Sequence, residues 1–134
     1  PPGTGDIQLT IVQTAELDGV VVVTTPQEVA LIDARKAIGL FERVETPILG
    51  IIENMSYFQC PSDGKIYHIF GEGGGEREAA KLGVPLLGKI PLDISTRSGG
   101  DEGRPVALED PGQNPVSAAF RQVAEQCARV VLDR

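Results

Sequence analysis

The sequence predicts an α/β protein, a partial parallel sheet flanked by helices, and three observations predict it. Two apolar runs, Val20-Val21-Val22-Val23-Thr24 and Ile48-Leu49-Gly50-Ile51-Ile52, are continuous rather than alternating, as in strands buried on both faces. The segment between them has apolar residues at helical spacing and no hairpin signal, the pattern of a crossover between parallel strands. The core must also be aliphatic, because tryptophan is absent and aromatic residues make up only 4% of the chain.

Taken in order, the elements are as follows. Asp6 is an N-cap residue type, and the helix it opens covers Ile7 to Glu16 before Asp18-Gly19 ends it. Val20 to Thr24 is the first strand. Beyond Pro26, the residues Val29, Ile32, Ala37, Ile38 and Phe41 give a helix of about four turns. Ile48 to Ile52 is the second strand. Residues 53–75 show little periodicity and hold Cys60, Pro61, Asp63-Gly64 and then Gly71, Gly73, Gly74 and Gly75. They read as a long functional loop with a short hairpin turning at Asp63-Gly64. Glu76 to Leu82 forms a short helix closed by Gly83, and Pro85 to Pro91 is the third strand.

Residues 93–112 are polar and read as turns. Asn114-Pro115 then caps and starts a helix whose stripe runs Val116, Ala119, Phe120, Val123, Ala124, Cys127, Val130 and Val131. Three strands are few for a doubly wound sheet, and no strand precedes the first helix. The sequence therefore reads as part of a longer protein.

Charge and composition narrow the function. A net charge of -7 argues against nucleic acid or an anionic membrane as a general partner. No apolar run approaches the roughly 20 residues of a membrane helix. The opening Pro1-Pro2-Gly3-Thr4-Gly5 is not a signal peptide, so Cys60 and Cys127 are expected as free thiols in a reducing cytoplasm.

Four motifs bear on chemistry. Pro2-Gly3-Thr4-Gly5-Asp6 opens a helix, where glycines and free amides can approach a phosphate. An ordinary turn and cap has the same composition, and Asp6 repels a phosphate unless a metal lies between them. Gly71 to Glu76 lacks the Lys-Ser/Thr of a phosphate loop and reads as flexible. Asn54 follows the second strand, at the carboxyl end where α/β sheets bind ligands, and an amide suits a purine edge. Pro91 and Asp93 stand in the same relation to the third strand. Cys60 is a soft ligand type, but one thiol is not a site, since a tetrahedral ion or cluster takes about four ligands. Cys127 reads as a core residue, and His68 has no nucleophile near it in sequence.

In order along the chain, Pro1 to Asp6, Thr24-Thr25-Pro26-Gln27, Glu53 to Phe58, Ile69 to Glu76 and Ile90 to Asp93 resemble the Mrp/ApbC (Nbp-type) family of deviant Walker A P-loop ATPases. The resemblance runs from Pro1 to about Pro105, with a looser tail. It implies the C-terminal part of a three-layer P-loop NTPase fold, like that of MinD and the nitrogenase iron protein.

The resemblance also implies roles. Gly3, Thr4, Gly5 and Asp6 match the switch that reports the terminal phosphate of ATP with its Mg2+. Asn54 matches the adenine-reading residue, with Pro91 and Asp93 lining the base pocket. Cys60 matches the first cysteine of a Cys-X-X-Cys pair, two of which bridge a 4Fe-4S cluster across a homodimer that serves apo iron–sulfur proteins. Residues 1–134 depart from the family pattern twice. The phosphate loop and the catalytic lysines belong upstream of Pro1, so no catalytic residue is expected in this chain. The second cluster cysteine is Asp63, which favours an alternative reading as a MinD/ParA-like ATPase switch without a metal cluster.

Overall fold

The computed structural model describes residues 5–133. Helix α1 spans Ile7–Thr14, strand β1 Val20–Thr24, helix α2 Glu28–Arg43 and strand β2 Ile48–Glu53. A hairpin of β3 (Phe58–Gln59) and β4 (Ile66–Tyr67) follows, then α3 (Gly74–Leu82), β5 (Leu86–Lys89), α4 (Ile94–Asp101), a 3-10 turn at Val106–Leu108 and α5 (Pro115–Leu132).

Strands β1, β2 and β5 form one parallel sheet in that order, with β2 in the centre. The β-branched runs make these strands because their side chains fill both faces of the pleat. Val22 and Ile51 point to one face and pack with Ala34 and Ile38 of α2 and Ala79 of α3. Ile52 and Leu87 point to the other and pack with Ile90, Val106, Val116 and Val123. The result is three layers, with α2 and α3 on one side of the sheet and α5 on the other. Each fully buried aliphatic side chain in these layers contributes about 1.5–3 kcal/mol. Gly88 lets α5 sit close to the sheet, since a Cβ there would lie 2.5 Å from Val123 Cγ2.

Several details differ from the sequence reading. Asp6 occupies the N-cap position of α1 with helical backbone angles and makes no capping bond through its side chain, while its carbonyl accepts from Thr10 N at 3.1 Å. In α2 the buried residues are Leu31, Ala34 and Ile38, while Val29 is 72% exposed and Ile32 is also exposed. An apolar stripe one position off the core face satisfies helical spacing equally well. The polar stretch after Asp93 contains α4, which buries none of its residues and therefore carries no apolar period. Its start is fixed by Asp93, which accepts from Thr96 N at 2.8 Å. The glycine-rich segment is ordered by packing, and α3 begins within it, at Gly74. The hairpin turn at Asp63-Gly64 and the α5 cap at Asn114 are as the sequence indicates.

Candidate functional site

The chain leaves β2 through a tight turn that is held from three sides. Asn54 N donates to Thr24 O at 2.7 Å, joining the ends of β1 and β2. Ile90 N donates to Glu53 O at 2.9 Å and Ser56 N to Ile90 O at 3.0 Å, joining the ends of β2 and β5. Asn54 Oδ1 accepts from Met55 N at 2.9 Å, and Met55 adopts a left-handed backbone, φ 51. A non-glycine residue in that region costs roughly 1–3 kcal/mol, so the surrounding bonds must hold it there. Asn54 thereby stands at the carboxyl edge of the sheet with Thr24 and Thr25, at one end of a cleft of about 580 Å3 that runs along β1.

Pro91 follows directly on the Ile90 that these bonds engage, so the turn bearing Asn54 and the residues after β5 form one rim. Asp93 lies further out and lines a different cleft of about 870 Å3, together with Ser98, Arg104 and Glu109. Burial pushes the Asp93 carboxyl up, but the donors on Ser95 and Thr96 outweigh it and hold the group below its usual range. Its Oδ2 accepts from the Ser95 and Thr96 hydroxyls as well as the Thr96 amide. Gly5 and Asp6 line a third cleft, against Arg35 and Lys36 of α2. Gly3 and Thr4 lie outside the described residues.

Cys60 sits at the turn of the β3–β4 hairpin, partly exposed and with a free thiol. Cys60 N donates to Lys65 O at 2.9 Å and Gly64 N to Cys60 O at 2.8 Å, which closes the loop. Asp63 accepts from Lys65 N at 2.8 Å through Oδ1 and from the Tyr67 hydroxyl at 2.8 Å through Oδ2. The Lys65 amide first, then the Tyr67 hydroxyl, hold the Asp63 carboxyl below its usual range. Asp63 therefore shapes the turn that presents Cys60. Ile66, Tyr67 and Ile69 are exposed beside it. Phe58 bridges to Leu92, which fixes the hairpin root to the rim that carries Pro91.

Sequence reasoning passed over Glu53. It is 1% exposed, and its Oε1 accepts from Ser56 Oγ at 2.5 Å while Oε2 accepts from Gly75 N at 2.6 Å. An acidic residue closing an otherwise apolar strand was the available signal, but its partner Gly75 is 22 residues away and invisible to local pattern. That bond also explains why the glycine run is not an anion cradle. One of the first amides of α3 already serves an internal carboxylate.

The three-layer parallel sheet is of the open α/β type, which binds ligands at the carboxyl ends of its strands, and the family match places it among the P-loop NTPases. The chain belongs to the ParA family, matching the model described as NUBPL iron-transfer P-loop NTPase over residues 1–128. It is 51% identical over 126 residues to the iron-sulfur cluster carrier protein of Pyrococcus furiosus, covering 94% of this chain and 42% of that protein. It is 51% identical over 128 residues to the Escherichia coli protein of the same name, covering 96% of this chain and 34% of the relative. The chain thus spans between about a third and a little under half of the length of these curated relatives. Among solved structures, a nucleotide-binding protein from Archaeoglobus fulgidus in complex with ADP superposes with a TM-score of 0.67 at 43% identity, over 78% of this chain and 43% of that one. The cell division ATPase MinD of Pyrococcus furiosus gives 0.63 at 26% identity, over 84% and 43%.

Proposed function

We propose that the protein containing this chain is an ATP-dependent carrier of iron–sulfur clusters, working in the cytoplasm as a homodimer and passing its cargo to apoproteins. The observation that supports this most is the common root of two features. The turn bearing Asn54 and the hairpin bearing Cys60 both spring from the carboxyl edge of the sheet and share the residues after β5. Movement at a bound nucleotide base would therefore be felt at the cargo thiol.

For ATP, the described residues fit the base and not the triphosphate. Asn54 offers an amide that can donate and accept at once, with Pro91 on the same rim, while Asp93 caps α4 in a neighbouring cleft. The Gly3-Thr4-Gly5-Asp6 segment serves as the phosphate-reporting switch, and the phosphate cradle comes from another part of the longer protein. Bound Mg2+ would neutralise phosphate charge there. The cluster is cargo. One Cys60 per copy gives two thiolates in a homodimer, half of the roughly four ligands a cluster takes. The Asp63 carboxylate beside each would have to leave the Lys65 amide and Tyr67 hydroxyl to complete the set. The exposed Ile66 and Ile69 supply apolar surface for the copies to meet. Release to an acceptor is thiolate exchange, with no net change in electrons.

Anaerobic reconstitution of the full-length protein with iron and sulfide tests the reading. The wild type should gain visible cluster absorbance with iron and sulfide in equal amounts, and Cys60→Ser should lose it. A colourless wild type would favour the second reading, a MinD/ParA-like switch without a cluster, which the turn-forming role of Asp63 supports.

A further inference from the structure

We infer that Glu53 is the positioning residue that sets base selectivity, clamping the Asn54 turn onto the first turn of α3. The inference rests on the nucleotide reading above. Asn54 can read a base only if its turn is rigid, because that turn contains a left-handed Met55 with an intrinsic tendency to relax. The backbone bonds to Thr24 and Ile90 hold the entry and exit of the turn. Between them, the side chain of Glu53 reaches forward to Ser56 Oγ, spanning the residues that must not relax.

The other carboxylate oxygen is anchored where displacement is hardest. Gly75 N lies in the first turn of α3, whose amides favour an anion. Gly75 is buried, and a Cβ on it would stand 2.8 Å from Glu53 Oε2. Gly74 is equally confined, with a Cβ position 2.8 Å from Pro26 O and 2.9 Å from Leu31 Cδ1. Two of the consecutive glycines thus bring α3 close enough for its amide to reach the carboxylate. Lys89, paired with Glu53 in the sheet register, binds Glu76 Oε1 at 2.5 Å and secures the same turn of α3 from its other side. The glycine run, which the function otherwise leaves unexplained, is in this view the seat of the clamp.

The test compares MgADP and MgGDP affinities by calorimetry in the full-length protein, for wild type, Glu53→Ala, Glu53→Gln and Ser56→Ala. Wild type should prefer ADP. Glu53→Ala should lose about tenfold in ADP affinity with GDP affinity unchanged, the loss expected for one misplaced base hydrogen bond. Glu53→Gln should keep the preference, because its carboxamide can accept from Gly75 N and donate to Ser56 Oγ. Ser56→Ala, which opens no large cavity, should show a smaller loss of the same kind and serves if Glu53→Ala does not fold. A preference that survives Glu53→Ala and Ser56→Ala, or equal losses for both nucleotides in them, would overturn the inference alone. A wild type that binds ADP and GDP alike would overturn the adenine reading, and the clamp with it.

Discussion

At Gly75 the confinement that seats the Glu53 carboxylate also makes a stability prediction. Gly75→Ala would place its Cβ 2.8 Å from Oε2 and 3.1 Å from Glu53 Cβ, so either the carboxylate or the start of α3 must shift. Overpacking of this kind costs about 1–3 kcal/mol, and urea unfolding should show that loss. Gly39 is the control. It lies inside α2 with nothing within 4 Å of a Cβ, so Gly39→Ala should raise stability by about 0.5–1 kcal/mol. Equal effects at the two sites would mean that the glycine run is not packed as described. The placement of Asn54 directly after a strand and of Cys60 in a loop was legible in the sequence, because strand ends and turn residues are local properties. Glu53 was not, because its meaning depends on a glycine brought to it by the fold.

Between elements, α2 and α3 are joined over the sheet by one arginine. Arg35 donates to Glu78 Oε1 from Nε at 2.9 Å and from Nη2 at 2.5 Å, and to Glu28 Oε1 at 2.7 Å. Glu78 is buried, and the hydrogen bonds from Arg35, working against burial, hold its carboxyl below the usual glutamate range. A folded pKa below the unfolded one means that the pairing stabilises fully above the unfolded value, about 4.3, and is lost as pH falls through the folded value. Glu78→Gln should therefore destabilise the protein at neutral pH, with the gap from wild type closing as the pH falls below the ordinary glutamate range in urea titrations. A gap that stays constant with pH would contradict the assignment. The elements themselves were unequally legible. β1, β2 and α5 announce themselves through apolar runs and a long stripe, because burial dictates both. α4 buries nothing, so only the Asp93 cap marked it, and a cap without an apolar period reads as a turn. In α2 the period was visible but its phase was not, since Val29 and Ile32 are apolar and exposed.

For the whole molecule, three layers place three strand ends and one hairpin at a single edge, and the functional proposal rests on that convergence. The edge holds the Asn54 amide, the glycine turn that seats Glu53 and the Cys60 thiol on a loop that Asp63 shapes. A carrier must both hold cargo and give it up, and a partly exposed Cys60 on a hairpin anchored at its root suits both. The most direct measurement is cluster transfer from the reconstituted full-length protein to an apo 4Fe-4S acceptor, followed by recovery of acceptor activity in the presence of an iron chelator. The account predicts chelator-resistant transfer from wild type and none from Cys60→Ser. Acceptor activity that returns equally with Cys60→Ser, or only when the chelator is left out, would contradict it.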